Sequence, residues 1–200
     1  MKRLSANLFL ICLVFLSACS PSIKNIDSQG KAIVCLGDSI TYGVGSDEGG
    51  DYPSSLKQIL GEDVINSGVP GDTSAGMLNR LETDVIEHNP YLVIIEIGGN
   101  DFLNNVPEDE TLKNIERAID RIQGKGAIVA LCDISSSFIF RKYKDGYKKL
   151  AKRTKSVFVP GLLTGILENP SLKYDQIHPN SQGYNIIAQR IYKAIKPYIK

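Results

Sequence analysis

The chain has 200 residues, of which 42% are hydrophobic and 22% charged, as expected for one globular domain with a sizeable core. Its 23 basic and 22 acidic residues nearly cancel, and Lys2 and Arg3 lie in a segment that we predict is removed, which leaves 21 basic residues. A net charge this close to zero argues against a nucleic acid as partner.

The first residues have the pattern of an export signal. Lys2 and Arg3 precede an apolar stretch at residues 8–16 that is too short to span a membrane comfortably. Leu16-Ser17-Ala18-Cys19 follows and resembles the lipobox of bacterial lipoproteins, in which the cysteine is lipidated and becomes the mature N-terminus. The alternative is a simple secretory peptide with an incidental cysteine.

The lipobox resemblance predicts how the chain is divided. Residues 1–18 would be a lipoprotein signal peptide, and residues 19–30 would be the lipidated Cys19 and a flexible tether rich in small polar residues. Residues 31–200 would form the single domain. The predicted location is outside the cytoplasm, on the periplasmic or cell-surface face of the bacterial envelope, with a membrane as partner through Cys19.

Apolar runs suited to buried parallel strands alternate with segments that have helical periodicity. The predicted strands are residues 32–36, 64–66, 92–97, 127–132 and 157–159. The predicted helices are residues 52–60, a longer one from about 74 to 87, residues 108–123 and residues 181–194. Right-handed crossovers then predict an α/β fold with a doubly wound, flavodoxin-like sheet of order 2-1-3-4-5, whose ligands bind where the strands end.

Two smaller features of the domain also lead to predictions. Cys35 and Cys132 end predicted strands that are separated by a third strand, so we expect two buried thiols and no disulfide. Residues 141–155 are strongly basic, which indicates a solvated helix face or a surface attracted to anionic lipid head groups.

A serine, a histidine and an acid, which together can form a nucleophilic site, are Ser39, His178 and Asp175. Ser39 follows the first predicted strand, and a serine hydroxyl needs a neighbouring base that an acid orients. His178 lies in a polar loop three residues after Asp175, where it has no packing role, whereas His88 ends a polar helix and favours its dipole. A metal site at Asp175 and His178 is the weaker alternative because no third ligand has suitable spacing.

Acyl transfer also needs donors for the developing oxyanion. Gly68 ends the second predicted strand and offers a backbone N–H, and Asn100 follows the third and offers a side-chain amide. Asp38 and Asp101 stand beside these residues, and we predict that both have structural roles in their turns.

Four segments in this order resemble the sequence blocks of the SGNH, or GDSL-type, hydrolase family. They are Gly37-Asp38-Ser39-Ile40-Thr41-Tyr42-Gly43, then Asn66-Ser67-Gly68 with Gly71-Asp72-Thr73, then Gly98-Gly99-Asn100-Asp101, and finally Asp175-Gln176-Ile177-His178-Pro179-Asn180. The resemblance covers residues 31–199. It implies a three-layer α/β/α sandwich in which Ser39 is the nucleophile, His178 the base and Asp175 its orienting acid. It also implies an oxyanion hole made by Ser39, Gly68 and Asn100.

The second and third blocks are most similar to the branch of bacterial acyl-CoA thioesterase I, which also acts as a lysophospholipase, and of arylesterases. This implies a cofactor-free serine esterase for small to medium acyl esters, with thioesters and lysophospholipids as further candidates. Three alternatives remain: a carbohydrate O-deacetylase, an acyltransferase using the same triad, and a non-catalytic lipoprotein that binds a lipid or glycan in the same cleft.

Overall fold

The computed structural model describes residues 22–135 and 144–199. Five parallel strands form one sheet in the order β2-β1-β3-β4-β5, as predicted. The strands are β1 (Ala32–Gly37), β2 (Val64–Gly68), β3 (Pro90–Glu96), β4 (Ile128–Cys132) and β5 (Val157–Val159). The predicted signal peptide and Cys19 lie outside the described residues. Within those residues, no helix has both the length and the apolar character needed to cross a membrane.

Helices cover both faces of the sheet and make the predicted three layers. The helices are α1 (Ser39–Tyr42), α2 (Tyr52–Leu60), α3 (Ser74–Asn79), α4 (Leu81–Asp84), α5 (Gly99–Leu103), α6 (Glu108–Gly124), α7 (Lys144–Thr154) and α8 (Ser181–Ile195). Short 3₁₀ turns lie at Ile86–His88, Pro170–Leu172 and Lys196–Tyr198.

Side chains alternate between the two faces of the sheet and form two cores. On one face, Cys35 and Ile94 pack with α2 and α8 through residues such as Leu56 and Ile187. On the other face, β1, β3 and β4 pack with α3, α4, α6 and α7. Because both faces are covered, the polar ends of the strands are the open part of the sheet, and the carboxyl ends form the rim that we call the catalytic rim.

One predicted helix is wrong in its length. Residues 74–87 do not form a single helix, since the chain breaks at Arg80 and at Val85 into α3, α4 and a 3₁₀ turn. The periodicity of the apolar residues persists through the breaks, as Met77, Leu81 and Val85 are all buried. The break leaves the Arg80 side chain free to bond to four neighbouring groups near the catalytic rim.

Two further predictions concern the cysteines and the basic stretch. Cys35 and Cys132 are both buried and free, as predicted. Most of the basic stretch forms α7, in which Tyr147 and Leu150 pack on the core while Lys148 and Lys152 are exposed. This arrangement is that of a solvated helix face, and residues 141–143 lie outside the described part.

The N-terminal segment, residues 22–31, is bound to the domain at the edge where the strands begin. The side-chain amide of Asn25 donates to the carbonyl oxygens of Gln123 and Ala127, at 2.8 Å each. The Lys24 N–H donates to the carbonyl oxygen of residue 155 at 3.0 Å. These bonds hold part of the predicted tether against the folded domain, and the predicted division of the chain at residue 31 remains a prediction.

Candidate active site

Ser39 is the first residue of α1 and directly follows the turn that ends β1. Asp38 is the N-cap of this short helix, and its carboxylate accepts a hydrogen bond from the Ile40 N–H at 3.0 Å, which confirms its predicted structural role. A Cβ atom on Gly37 would lie 2.0 Å from Thr41 Oγ1 and 2.3 Å from the Glu96 carbonyl oxygen. The strand and the helix can therefore approach this closely only with glycine at position 37.

His178 lies opposite Ser39 on the loop before α8. Its Nε2 atom is 3.0 Å from Ser39 Oγ, and its Nδ1 atom is 2.8 Å from Asp175 Oδ2. The other oxygen of Asp175 accepts the N–H groups of Ile177 and His178, both at 2.9 Å. The structure therefore brings the three predicted triad residues into one continuous chain of hydrogen bonds.

The electrostatics of Asp175 favour its ionised form. Partial burial opposes ionisation, but the hydrogen bonds from the His178 ring and from two backbone N–H groups outweigh it, so that the pKa of Asp175 is lowered. The side chain of His178 is 14% exposed and that of Asp175 is 42% exposed. An ionised Asp175 fixes the tautomer with the proton on Nδ1, which leaves Nε2 free to accept a proton from Ser39.

Asn100 reaches the same place from the first turn of α5. Its side-chain amide donates to the Asp72 carbonyl oxygen at 2.9 Å and to Asp38 Oδ2 at 3.3 Å. Gly98 starts this turn with φ 117°, and a Cβ atom there would lie 2.2 Å from the Tyr147 hydroxyl. The glycine thus allows the close turn that brings Asn100 beside Ser39 and His178 in one cavity.

Gly68 is placed differently from the other predicted donors. Its N–H donates to Asn66 Oδ1 at 2.9 Å, and a Cβ atom on it would lie 2.1 Å from the Tyr42 nitrogen. Gly68 is also not among the described residues that line the cavity at Ser39. The structure gives it a packing role between β2 and α1, and its predicted part in an oxyanion hole remains a prediction.

Gly71 is a possible backbone donor that the sequence analysis did not consider. It precedes Asp72, whose carbonyl oxygen holds the Asn100 amide, and it has φ 81°. Among residues 22–135 and 144–199, its N–H has no acceptor. The signal was present in the Gly71-Asp72-Thr73 segment, but a glycine that allows a turn and one that presents its N–H look the same in a sequence.

The sequence analysis also did not predict the role of Arg80. Its guanidinium donates to the carbonyl oxygens of Gly37 and Ser67, both at 2.9 Å, and forms ion pairs with Asp72 at 2.7 Å and Asp84 at 2.8 Å. The Arg80 side chain is only 16% exposed, so these bonds are shielded from water. Arg80 therefore ties the ends of β1 and β2 to the loop that positions Asn100.

Two buried acids lie directly behind the nucleophile. Glu96 ends β3, is wholly buried, and accepts a hydrogen bond from Thr41 Oγ1 at 2.9 Å. Its side chain also hydrogen-bonds to that of Asp38. Burial raises the pKa of Glu96 well above its usual range, and the neighbouring Asp38 charge raises it further. Burial also raises the pKa of Asp38, to about 6. The raised pKa of Glu96 favours its neutral form, which donates to the Asp38 carboxylate.

Apolar side chains enclose the rest of the cavity. The cavity that the described residues line has a volume of about 30 Å³. Its lining combines the polar residues above with Ile40, Leu103, Ile134, Leu163 and Ile177. Leu103 is 51% exposed and Ile177 is 36% exposed, so they stand at the mouth, whereas Ile134 and Leu163 are buried. The cavity thus offers a small apolar slot beside a polar centre.

The remaining candidates have other positions. Asp101 is buried and accepts hydrogen bonds from the N–H and the hydroxyl of Ser74, which confirms its predicted structural role. His88 is exposed at the opposite edge of the sheet, just before β3. Within the described residues, no group of three or more His, Cys, Asp or Glu side chains is placed to hold a metal ion.

Comparisons with known proteins agree with this geometry. Residues 35–186 match the model of the GDSL-like lipase/acylhydrolase family. The chain is 31% identical over 170 residues to an arylesterase of Vibrio mimicus, covering 80% of this chain and 85% of that protein. It is 27% identical over 200 residues to the thioesterase 1/protease 1/lysophospholipase L1 of Escherichia coli K12, covering 96% and 91%. The crystal structure of TesA superposes with a TM-score of 0.78 at 29% identity, covering 84% of this chain and 99% of that one.

The buried pair predicts how stability depends on pH in the Glu96→Gln variant. In the folded protein the raised pKa keeps Glu96 protonated, whereas in the unfolded chain Glu96 ionises at its ordinary pKa. The wild type therefore loses stability as pH rises from the ordinary pKa of Glu96 towards its raised pKa. Glutamine keeps the donor and acceptor but cannot ionise. We expect the free energy of unfolding to fall less steeply between pH 5 and 8 in Glu96→Gln, measured by urea titration with circular dichroism.

The exposed Glu48 supplies the matched control, since Glu48→Gln should leave the pH dependence of the wild type unchanged. Parallel curves for Glu96→Gln and the wild type would show that Glu96 is already ionised in the folded protein.

Proposed function

The chain belongs to the GDSL-like lipase/acylhydrolase family and is a serine hydrolase of ester bonds, and we propose that Ser39, His178 and Asp175 perform the reaction. The observation that carries this assignment is the chain of hydrogen bonds from Ser39 Oγ through the imidazole to Asp175, with distances of 3.0 and 2.8 Å. A base within this reach of a serine hydroxyl can take its proton as the nucleophile attacks.

The first half of the reaction acylates Ser39. Its Oγ attacks the acyl carbonyl carbon while the proton moves to His178 Nε2, which gives a tetrahedral adduct and an imidazolium. The adduct then expels the alcohol or thiol, which takes the proton from Nε2. Asp175 stays ionised throughout and stabilises the imidazolium through Nδ1–H.

The second half returns the enzyme to its starting state. Water enters beside the acyl-enzyme, gives its proton to His178 Nε2 and attacks the same carbonyl carbon. Collapse of this adduct breaks the bond to Ser39 Oγ, which recovers its proton from the imidazolium, and the free acid leaves.

Both tetrahedral adducts carry a negative oxygen that needs donors. We assign this role to the Ser39 N–H, to the Asn100 side-chain amide, which exchanges its long 3.3 Å bond to Asp38 for one to the oxyanion, and to one backbone N–H from the loop after β2. Gly68 was predicted for that last position, but its N–H is engaged with Asn66. The unpaired N–H of Gly71 is the better candidate because the next residue is held by Asn100. Donors preset in this way contribute about 3 to 4 kcal/mol each to the transition state.

The cavity supports small to medium acyl groups as substrates. The part of the cavity that described residues line, about 30 Å³ with buried Ile134 and Leu163, suits a short acyl chain, and a longer one would extend past exposed Leu103. The names of the relatives extend the candidates to aryl esters, thioesters and lysophospholipids. We propose esters of short acyl groups as the main class of substrate. Aryl esters, thioesters and lysophospholipids then differ in the alcohol or thiol that leaves.

We further propose that the enzyme works outside the cytoplasm, anchored to a membrane of the cell envelope. The support is the sequence pattern at residues 1–19, with basic residues, an apolar stretch and the cysteine of Leu16-Ser17-Ala18-Cys19. Growth with labelled palmitate tests this, because label should appear in the full chain and be absent from Cys19→Ala.

The triad predicts the outcome of two substitutions in the soluble form that begins at Ser20. Ser39→Ala and His178→Ala should each lower kcat on p-nitrophenyl acetate by about 10³-fold or more, because neither variant can pass the proton from nucleophile to base. His88→Ala is the matched control and should keep the wild-type rate. Activity that survives Ser39→Ala would contradict the assignment of the nucleophile.

The cavity predicts the preference for acyl length. Across p-nitrophenyl esters from acetyl to palmitoyl, kcat/KM should be highest for the short acyl groups. Leu163→Ala should shift the optimum to longer chains because it enlarges the slot. Leu162→Ala is the control, since Leu162 is equally buried but does not line the slot, so both variants lose about 2 to 5 kcal/mol of stability. The same shift in both variants would refute the slot.

The oxyanion assignment predicts the effect of Asn100→Ala. The rate constant kcat should fall by about 10²- to 10³-fold while KM changes little, because the lost hydrogen bond is strongest in the transition state. Asn104→Ala at the exposed end of α5 should be neutral. A rise in KM with unchanged kcat would instead make Asn100 a binding residue.

A further inference from the structure

The bound N-terminal segment and the triad lie at opposite ends of the sheet. Residues 22–31 bond to groups that precede β3, β4 and β5, and they lead directly into β1 at Ala32. Ser39 stands just beyond the other end of β1. Six residues of strand at about 3.3 Å each separate the two ends by about 20 Å.

Little chain remains between this segment and the proposed lipid. Three peptide steps join Cys19 to Ser22, and even fully extended they reach about 10 Å. Because the segment is held by the Asn25 side chain at two carbonyl oxygens, it does not lengthen this tether. An anchored domain must therefore keep its strand-starting edge close to the bilayer.

The charges of the described residues differ between the two ends. Parallel strands and antiparallel helices place the last turns of the helices at the strand-starting edge. Exposed lysines there form what we call the basic edge: Lys24, Lys31, Lys125, Lys152, Lys155, Lys193 and Lys196. The acidic residues exposed at this edge are Asp27, Glu62, Asp63, Glu87 and Asp120, of which Asp63 is paired at 2.8 Å with Lys57 in the last turn of α2.

Among residues 22–135 and 144–199, the catalytic rim has the opposite balance, and the basic Arg141 and Lys142 lie outside this range. Its exposed acidic residues are Asp47, Glu48, Asp109, Glu110, Asp145 and Asp175, against the bases Lys113, Lys144 and Lys173. Lys113 is already paired with Asp109 at 2.9 Å. Anionic head groups attract lysines at about 1 kcal/mol each near the surface and repel carboxylates, so charge and tether favour the same orientation.

We propose that the basic edge rests on the anionic head groups of the membrane that holds Cys19, and that the catalytic rim faces the aqueous side. This inference rests on the proposed anchoring and deepens the proposed function. Phospholipids embedded in the anchoring bilayer do not reach Ser39, which lies at the far end of the domain. The substrates are esters that arrive dissolved in the surrounding compartment.

Fluorescent labels at the two ends test the orientation in the full, lipidated chain on vesicles of phosphatidylethanolamine and phosphatidylglycerol. Gln29→Cys places a dye near the basic edge and Asn104→Cys places one at the catalytic rim, while Cys35 and Cys132 are buried and escape labelling. With a short-range nitroxide quencher on the lipid head groups, the Gln29 dye should be quenched at least about threefold more than the Asn104 dye.

Charge reversal provides matched variants. Lys31→Glu with Lys125→Glu should reduce the quenching of the Gln29 dye, and Lys113→Glu with Lys173→Glu should leave it unchanged. Equal or stronger quenching at Asn104 would overturn the orientation. Failure of the wild type to float with the vesicles would overturn it as well, by removing the anchor.

Substrate access gives an independent outcome. Anchoring should not raise the hydrolysis of a fluorescent phospholipid in the same vesicles above the rate of the soluble form that begins at Ser20, and a rise of about tenfold would refute the inference. Hydrolysis of p-nitrophenyl acetate in every sample reports separately on the esterase assignment, so a failed orientation and a failed activity are distinguished.

Discussion

The site depends first on the close approach of β1 and α1 at Gly37, where no side chain fits. This approach brings Ser39 to the rim two residues after the end of β1. It also brings the polar groups between β1 and α1 into contact with buried β3. Asp38 and Glu96 meet there, and the neutral acid lets the carboxylate cap α1 without a second buried charge. The side chains behind the nucleophile are therefore polar and hydrogen-bonded to each other, although the residues around them belong to the apolar core.

Around that turn the positioning groups come from distant parts of the chain. Arg80 binds the carbonyl oxygens at the ends of two strands, and Asn100 binds the loop between them. Asp175 accepts three hydrogen bonds, from the N–H groups of Ile177 and His178 and from the His178 ring. Arg80, Asn100 and Asp175 are each bonded to backbone atoms, and such preorganisation lets donors act on a transition state without first reordering.

Strand order and the meeting of Ser39, Asp175 and His178 were predictable because hydrophobic runs and parallel topology fix which ends share a rim. Other features depend on tertiary contacts that no local pattern records. Glu96 looked like the end of an apolar strand, and its partner Asp38 is far away in the sequence. The break at Arg80 follows from bonds to β1 and β2, and the bound residues 22–30 follow from Asn25 reaching the end of α6.

The two interior cysteines bear on how the domain is held together. Thiol exchange proceeds through the thiolate, and burial raises the pKa of both Cys35 and Cys132 well above the usual range. Neither sulfur is exposed to an oxidant in the folded domain. The described part of the folded domain therefore contains no disulfide, and its packing does not depend on forming one.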